Sequence, residues 1–140
     1  MNQVADYTLC AEYASKYKFV ADKLSEDALE MLYYLEPVVV NCAFSCELYL
    51  KAIILKRNEG NKREKVHDLK VLFNELPAEV RTSICNGKVD EEKLDEFLGE
   101  YGNAFLDWRY AFEKGVEMNM TMLFNFANLL EDYYERTKND

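Results

Sequence analysis

The stretch VVVNCAFSCELYLKAIILKR, residues 38–57, constrains the fold of this chain more than any other segment. It follows Pro37 and runs to Gly60 without a helix-breaking residue. At 100° per residue, apolar side chains cover most of its circumference, which is typical of a helix buried in a bundle. Glu47 and Lys51 are charged residues in its middle, one turn apart and in the order that favours an ion pair.

This charged pair has two interpretations. Glu47 and Lys51 form an ion pair at the edge of the bundle or at a dimer interface, or Glu47 orients a cationic group in a cleft. Either way, we predict that the central helix carries one ionic contact among apolar neighbours.

The composition is that of one folded all-α domain, residues 1–140. The chain is 49% hydrophobic, with ten Tyr and eight Phe, which is too apolar for a disordered chain. Five Gly and two Pro leave few turns, and this favours a few long helices over many short strands. We predict an up-and-down bundle of about five to six helices.

The hydrophobic spacing places the other helices. Residues 4–35 are predicted to form one long helix or two shorter ones, with a restart capped by Ser25 and an end or kink at Pro37. Short helices are expected after Asp68 and over 78–84, and longer ones over 90–101 and 119–136. The apolar face of the first helix is predicted from Leu9, Tyr13, Tyr17, Val20 and Leu24.

The net charge of -9 argues against general attraction to nucleic acid. The charge is uneven, however, because residues 51–70 carry a net charge of +4 and the rest of the chain carries -13. Contact with a polyanion would therefore be local, and its candidate residues are Arg57, Lys62, Arg63 and Lys65.

The cysteines indicate neither a metal site nor a cofactor. The four cysteines contain no C-x-x-C pair, the chain has one histidine, and buried thiols explain Cys42 and Cys46 best. The N-terminus lacks the pattern of a secretory signal, and we find no apolar run close to the ~20 residues of a membrane span. We therefore expect a cytoplasmic protein with no membrane partner.

Two residues are candidates for chemistry. His67 follows the basic segment at the start of a helix, where it either moves a proton beside phosphates held by Lys62, Arg63 and Lys65, or caps and packs the helix. Arg109 lies between Trp108 and Tyr110, where it either stacks on aromatic rings or faces a phosphate. Together with Glu47 and Lys51, these two residues would make a polar site in an apolar bundle.

The ordered segments NCAFSCELYLKAIIL, HDLKVLFNELP and FLDWRYAFE resemble the HEPN domains of prokaryotes over residues 38–113. The resemblance implies a helical bundle, commonly a homodimer, in toxin–antitoxin or phage-defence systems, often beside a nucleotidyltransferase-type antitoxin partner. Many HEPN members are metal-independent ribonucleases with an Arg followed one to two turns later by a His. Arg109 matches that arginine, but the following residues, YAFEKGVEMN, contain no histidine.

The leading prediction is thus a non-catalytic or weakly active HEPN-like module that binds a nucleotide, RNA or a protein partner. Its ligand-binding candidates are Glu47, Lys51, Arg57, Lys62, Arg63, Lys65 and Tyr110. One alternative is a metal-independent ribonuclease with His67 as general base and Arg109 as the group that stabilises the charged phosphorane. Another is a purely structural interaction protein.

Overall fold

A computed structural model describes residues 6–57, 66–109 and 119–140, except for the side chains of Phe105, Leu106 and Arg109. These three ranges form α-helices joined by turns and contain no strand, which confirms the predicted all-α bundle. The helices are α1 (Tyr7–Leu24), α2 (Ala28–Tyr33), α3 (Leu35–Arg57), α4 (Leu69–Asn74), α5 (Ala78–Cys85), α6 (Glu91–Tyr101), α7 (Ala104–Arg109) and α8 (Met120–Thr137).

The central helix α3 starts earlier than the sequence predicts. It begins at Leu35 and includes Pro37 in its first turn, where a missing backbone N–H removes no helical hydrogen bond. The expectation that Pro37 ends or kinks the preceding helix is therefore wrong, because α2 has already ended at Tyr33. Most of α3 between Val38 and Leu55 is buried, as the apolar circumference predicts.

Helix α3 is also long and apolar enough to span a membrane, judged by length and composition alone. The expectation that no apolar run approaches that length is therefore wrong. In the bundle, 72% of the most apolar window of α3 is buried against other helices. The apolar character of α3 is thus accounted for by its place in the core.

Helix α1 runs antiparallel to α3, and α8 runs parallel to it. Ser45 donates a hydrogen bond of 2.8 Å to the carbonyl of Ala14, and the ring of Phe44 meets that of Tyr17 at 4.7 Å. On the other side, Tyr49 and Lys56 of α3 contact Glu131 and Thr137 of α8 in increasing order along both helices. Helices α4 to α7 lie between α3 and α8 along the chain, so this parallel pair is not formed by consecutive helices.

The predicted apolar face of α1 is confirmed only at Tyr17, which meets Phe44, and at Leu24, which packs against the core. Its buried residues are small or cationic and allow close approach to α3: Ala11, Ala14, Lys18 and Ala21. Leu9, Tyr13 and Val20, at 47%, 46% and 41% exposure, lie outward instead. The restart is also misplaced, because Ser25 ends α1, whereas the side chain of Asp27 caps α2.

Short contacts between α4 and the α6–α7 junction fix the chain around His67. Asp68 caps α4 as predicted and accepts a 2.8 Å hydrogen bond from the amide of Lys70. The amide of Leu69 donates to the carbonyl of Gly102 at 2.8 Å. Helix α7 starts two residues after Gly102 and packs against α3, so α4 and α7 are both held beside the central helix.

Candidate functional site

Glu47 is the centre of a buried polar cluster on α3. Its side chain is 1% exposed, yet its Oε2 lies 2.8 Å from Nζ of Lys51, one helical turn later. Lys51 is itself buried. A carboxylate at this depth requires partners to offset its lost hydration, and the ammonium group supplies one.

His67 is the second partner of Glu47. Its Nδ1 lies 3.2 Å and 3.1 Å from the two carboxylate oxygens. A carboxylate that accepts the Nδ1 proton fixes that tautomer and leaves Nε2 as the basic nitrogen of the neutral ring. The His67 side chain is 37% exposed, so the imidazole connects the buried carboxylate with the surface.

The structure thus brings together three of the predicted site residues, Glu47, Lys51 and His67, which we call the Glu47 cluster. Glu47 and Lys51 meet because they lie one helical turn apart on α3, and His67 reaches Glu47 from the residues just before α4. The capping residue Asp68 follows His67 directly and lies against Gly102, where an added Cβ would come within 2.3 Å of its Oδ1. This close approach holds the backbone next to His67.

Arg57 is not part of this arrangement. It is exposed at the C-terminus of α3, ten residues beyond Glu47, beside an open cleft of about 170 Å³. Lys56 also borders this cleft and donates to the carbonyl of Thr137. The full lining is Ile53, Lys56, Arg57, Tyr133, Tyr134, Thr137 and Asp140.

The remaining predicted site residues are not placed by the structure. Lys62, Arg63, Lys65 and Tyr110 lie outside the described residues. Arg109 is the last residue of α7, which packs against α3, but its side chain lies outside what is described. The predicted meeting of Arg109 with His67 therefore lies outside the described part of the chain.

Trp108, the single tryptophan, is a residue that the sequence analysis passed over as a site candidate. It is 5% exposed on α7, and its indole N–H has no hydrogen-bond acceptor among the described residues. A buried donor of this kind normally has a partner. No signal in the sequence distinguishes it from an ordinary core aromatic residue.

A second polar cluster joins α1, α3 and α8. Nζ of Lys18 lies 2.7 Å from Asp22 and 3.4 Å from Glu131, which also accepts a 3.3 Å hydrogen bond from the hydroxyl of Tyr49. Burial alone would lower the pKa of Lys18, but these two carboxylates raise it overall. Burial, reinforced by Glu131, raises the pKa of Tyr49. The i, i+4 spacing of Lys18 and Asp22 is the only part of this cluster visible in the sequence.

The described residues offer little for metal or thiol chemistry. Within 6–57, 66–109 and 119–140, no group of three or more His, Cys, Asp or Glu side chains comes together as metal ligands could. Burial raises the pKa of Cys46 well above its ordinary value and also raises the pKa of Cys85, so both thiols stay protonated at neutral pH. The Glu47 cluster is therefore the arrangement with the clearest chemical capability.

Comparison of this chain with protein-family models, with curated proteins and with solved structures gave no match in any of the three.

Proposed function

We propose that this protein is a HEPN-like helical module that binds a phosphate-bearing ligand, a nucleotide or RNA, at the Glu47 cluster. The observation that supports the proposal is that one buried carboxylate holds both Lys51 and His67. Of these two, His67 reaches the surface, where a ligand would meet it.

The charges of the cluster suit an anion. Two basic side chains, Lys51 and His67, lie against the single carboxylate of Glu47. Limited exposure to water strengthens the attraction of such a site for a phosphate. The sequence around it, residues 51–70, has the same sign in an otherwise acidic chain. Phosphate binding at this position is therefore favoured locally although the whole protein is acidic.

Binding of a labelled single-stranded RNA and of a fluorescent ATP analogue, followed by anisotropy, tests this proposal. Affinity is expected to fall between about 50 and 200 mM salt and to weaken several-fold in His67→Ala, because a phosphate contact is lost. Lys88→Ala removes an exposed cation in the turn between α5 and α6 and serves as the control. Equal affinity of the wild type and His67→Ala, or binding insensitive to salt, would refute the proposal.

The second candidate function is a metal-independent ribonuclease. The observation that favours it is the contact of Nδ1 of His67 with a carboxylate, the arrangement that prepares Nε2 as a general base for a ribose 2′-hydroxyl. Arg109 would supply the charge that stabilises the phosphorane. Cleavage of RNA in EDTA distinguishes this enzyme from the binding module.

A module that contacts only protein partners is the third candidate. It has no affinity for anions, so the same anisotropy titration separates it from the other two. The HEPN resemblance implies a toxin–antitoxin or phage-defence setting. In that setting, the partner of this module would be a nucleotidyltransferase-type antitoxin.

A further inference from the structure

The apolar side chains that the bundle leaves exposed are concentrated on α1 and α2. Eight of the nine large apolar residues that are exposed among the described residues lie between Leu9 and Tyr34, and the ninth is Val71 on α4. Six of the eight belong to the last turns of α1, to α2 and to the residue that follows it. We call these six the α1–α2 surface: Phe19, Val20, Leu29, Leu32, Tyr33 and Tyr34.

Helix α2 is the most exposed part of this surface. It has six residues, of which none is buried, and Leu29 and Tyr33 are 79% and 78% exposed. A helix this short does not persist in water through its own hydrogen bonds, and the side-chain cap from Asp27 satisfies only its first turn. Packing against another surface would supply the missing stabilisation.

The size of the surface matches what a stable pair of proteins buries. Large apolar side chains present on the order of 150–250 Å² each when fully exposed, so the six, at their observed exposures, offer roughly 550–950 Å². The largest apolar patch on a monomer is typically about 300–600 Å², and a standard interface takes about 800 Å² from each partner. The α1–α2 surface therefore has nearly the apolar area of one side of an interface.

The charges beside the surface favour a partner with the same mixture of signs. Lys23 lies 3.6 Å from Glu26 at the turn between α1 and α2, and Glu30 follows on α2. In a two-fold symmetric pair the same patch meets itself, so lysine from one copy can face carboxylates from the other. A membrane with anionic lipids would instead meet more carboxylates than ammonium groups here, because residues 6–34 carry six acidic residues against three lysines.

We infer that the α1–α2 surface is the interface through which two copies of this chain form a symmetric dimer. This inference is independent of the proposed ligand site, since the Glu47 cluster contributes no residue to the surface. It assigns α2, which has no fully buried residue and packs on its own chain mainly through Met31, a role in association.

Light scattering and sedimentation of the full chain test the interface. The wild type is expected at twice the protomer mass of 16.4 kDa at micromolar concentration. The double variant Leu29→Glu/Leu32→Glu is expected to dissociate about 100-fold more readily, because it places charge in the centre of the apolar contact. Val71→Glu introduces the same charge at an exposed apolar position outside the surface and is expected to remain dimeric.

Three results would overturn the inference: a monomeric wild type at about 100 µM, well above the micromolar to picomolar Kd range of interfaces of standard size; a double variant that dimerises like the wild type; or dissociation of Val71→Glu to the same extent. Circular dichroism shows whether the variants stay folded, and unfolding is not expected because Leu29 and Leu32 are 79% and 69% exposed. RNA and nucleotide titrations of the same variants report on the ligand site separately.

Discussion

Glu47 and His67 are twenty residues apart in the sequence, yet both carboxylate oxygens of Glu47 lie within hydrogen-bond distance of Nδ1 of His67, at 3.2 Å and 3.1 Å. The carboxylate is buried and the imidazole is partly exposed. This contact links the core of α3 to the surface at the start of α4. The same carboxylate also binds Lys51, so a change at Glu47 affects two basic side chains at once.

Replacement of Glu47 by Ala is expected to lower the free energy of unfolding by about 3 kcal/mol, because Lys51 and His67 both lose their contact with the buried carboxylate. The double variant Glu47→Leu/Lys51→Met removes both charges and is expected to recover much of that loss. Urea denaturation followed by circular dichroism measures both effects. Glu12→Ala, in the exposed pair of Glu12 with Lys16, is the control and should cost less than about 0.5 kcal/mol. A Glu47→Ala variant as stable as this control would contradict the importance of the buried pair.

RNA cleavage in EDTA by the wild type, His67→Ala and Arg109→Ala distinguishes the ribonuclease from the binding module. Loss of a general base or of a phosphate-stabilising charge should each reduce the rate about 100-fold or more if the protein is an enzyme. Lys88→Ala, purified identically, controls for contaminating nucleases. Equal cleavage by all four proteins would assign the activity to a contaminant, and the absence of cleavage would leave the binding module as the proposal to pursue.

The sequence predicts those features of the molecule that depend on neighbouring residues. The helix starts expected after Asp68 and at residue 90 are confirmed, because the side chains of Asp68 and Asp90 cap α4 and α6. The contact of Glu47 with Lys51 follows from their spacing of one turn. Each of these features is decided within a few residues along the chain.

Features that depend on how helices pack could not be predicted in this way. The larger side chains of α1, such as Leu9 and Tyr13, suggested a buried face, but α3 packs against the alanines because their small size allows closer approach. The contact of His67 with Glu47 requires the path of the chain from α3 to α4, which no periodicity encodes. The buried N–H of Trp108 has no signature in a single sequence either.

Cysteine labelling of the native protein should proceed slowly and in a defined order. Burial raises the pKa of Cys10, Cys46 and Cys85, so at pH 8 each holds less thiolate than a free cysteine, whose pKa is about 8.5. Cys10 is only partly buried and should react first, with a rate that keeps rising above pH 9. Mass spectrometry after iodoacetamide treatment, with and without urea, measures this order. Native labelling of Cys46 as fast as that of a small free thiol would contradict its buried position.

Alkaline pH is expected to destabilise the fold through Lys18 and Tyr49. The pKa of each is raised in the folded chain, so the native state holds these protons more tightly than the unfolded state does. Below about pH 9 both groups are protonated in both states, so their contribution to the free energy of unfolding should not change with pH. Above about pH 10, the range in which both groups lose their protons in the unfolded chain, the free energy of unfolding should fall. Thermal midpoints between pH 8 and 11 measure the fall. In Tyr49→Phe the fall should be shallower, and an identical slope would contradict the contribution of Tyr49.

Gly102→Ala tests whether the α6–α7 junction supports the entry to α4 beside His67. An added Cβ would approach Oδ1 of Asp68 to 2.3 Å and the carbonyl oxygen of Leu98 to 2.6 Å, so either the cap of α4 or the backbone must move. We expect a loss of about 1–2 kcal/mol in the free energy of unfolding, comparable to losing a helix cap.

Gly99→Ala is the matched control, because its Cβ would meet only the flexible end of Lys70, at 3.2 Å for the nearest atom. Alanine is also more stable than glycine in the interior of a helix such as α6, by about 0.5–1 kcal/mol. Urea denaturation measures the free energy of unfolding of both variants. A Gly102→Ala variant as stable as Gly99→Ala would show that the junction can relax without disturbing Asp68.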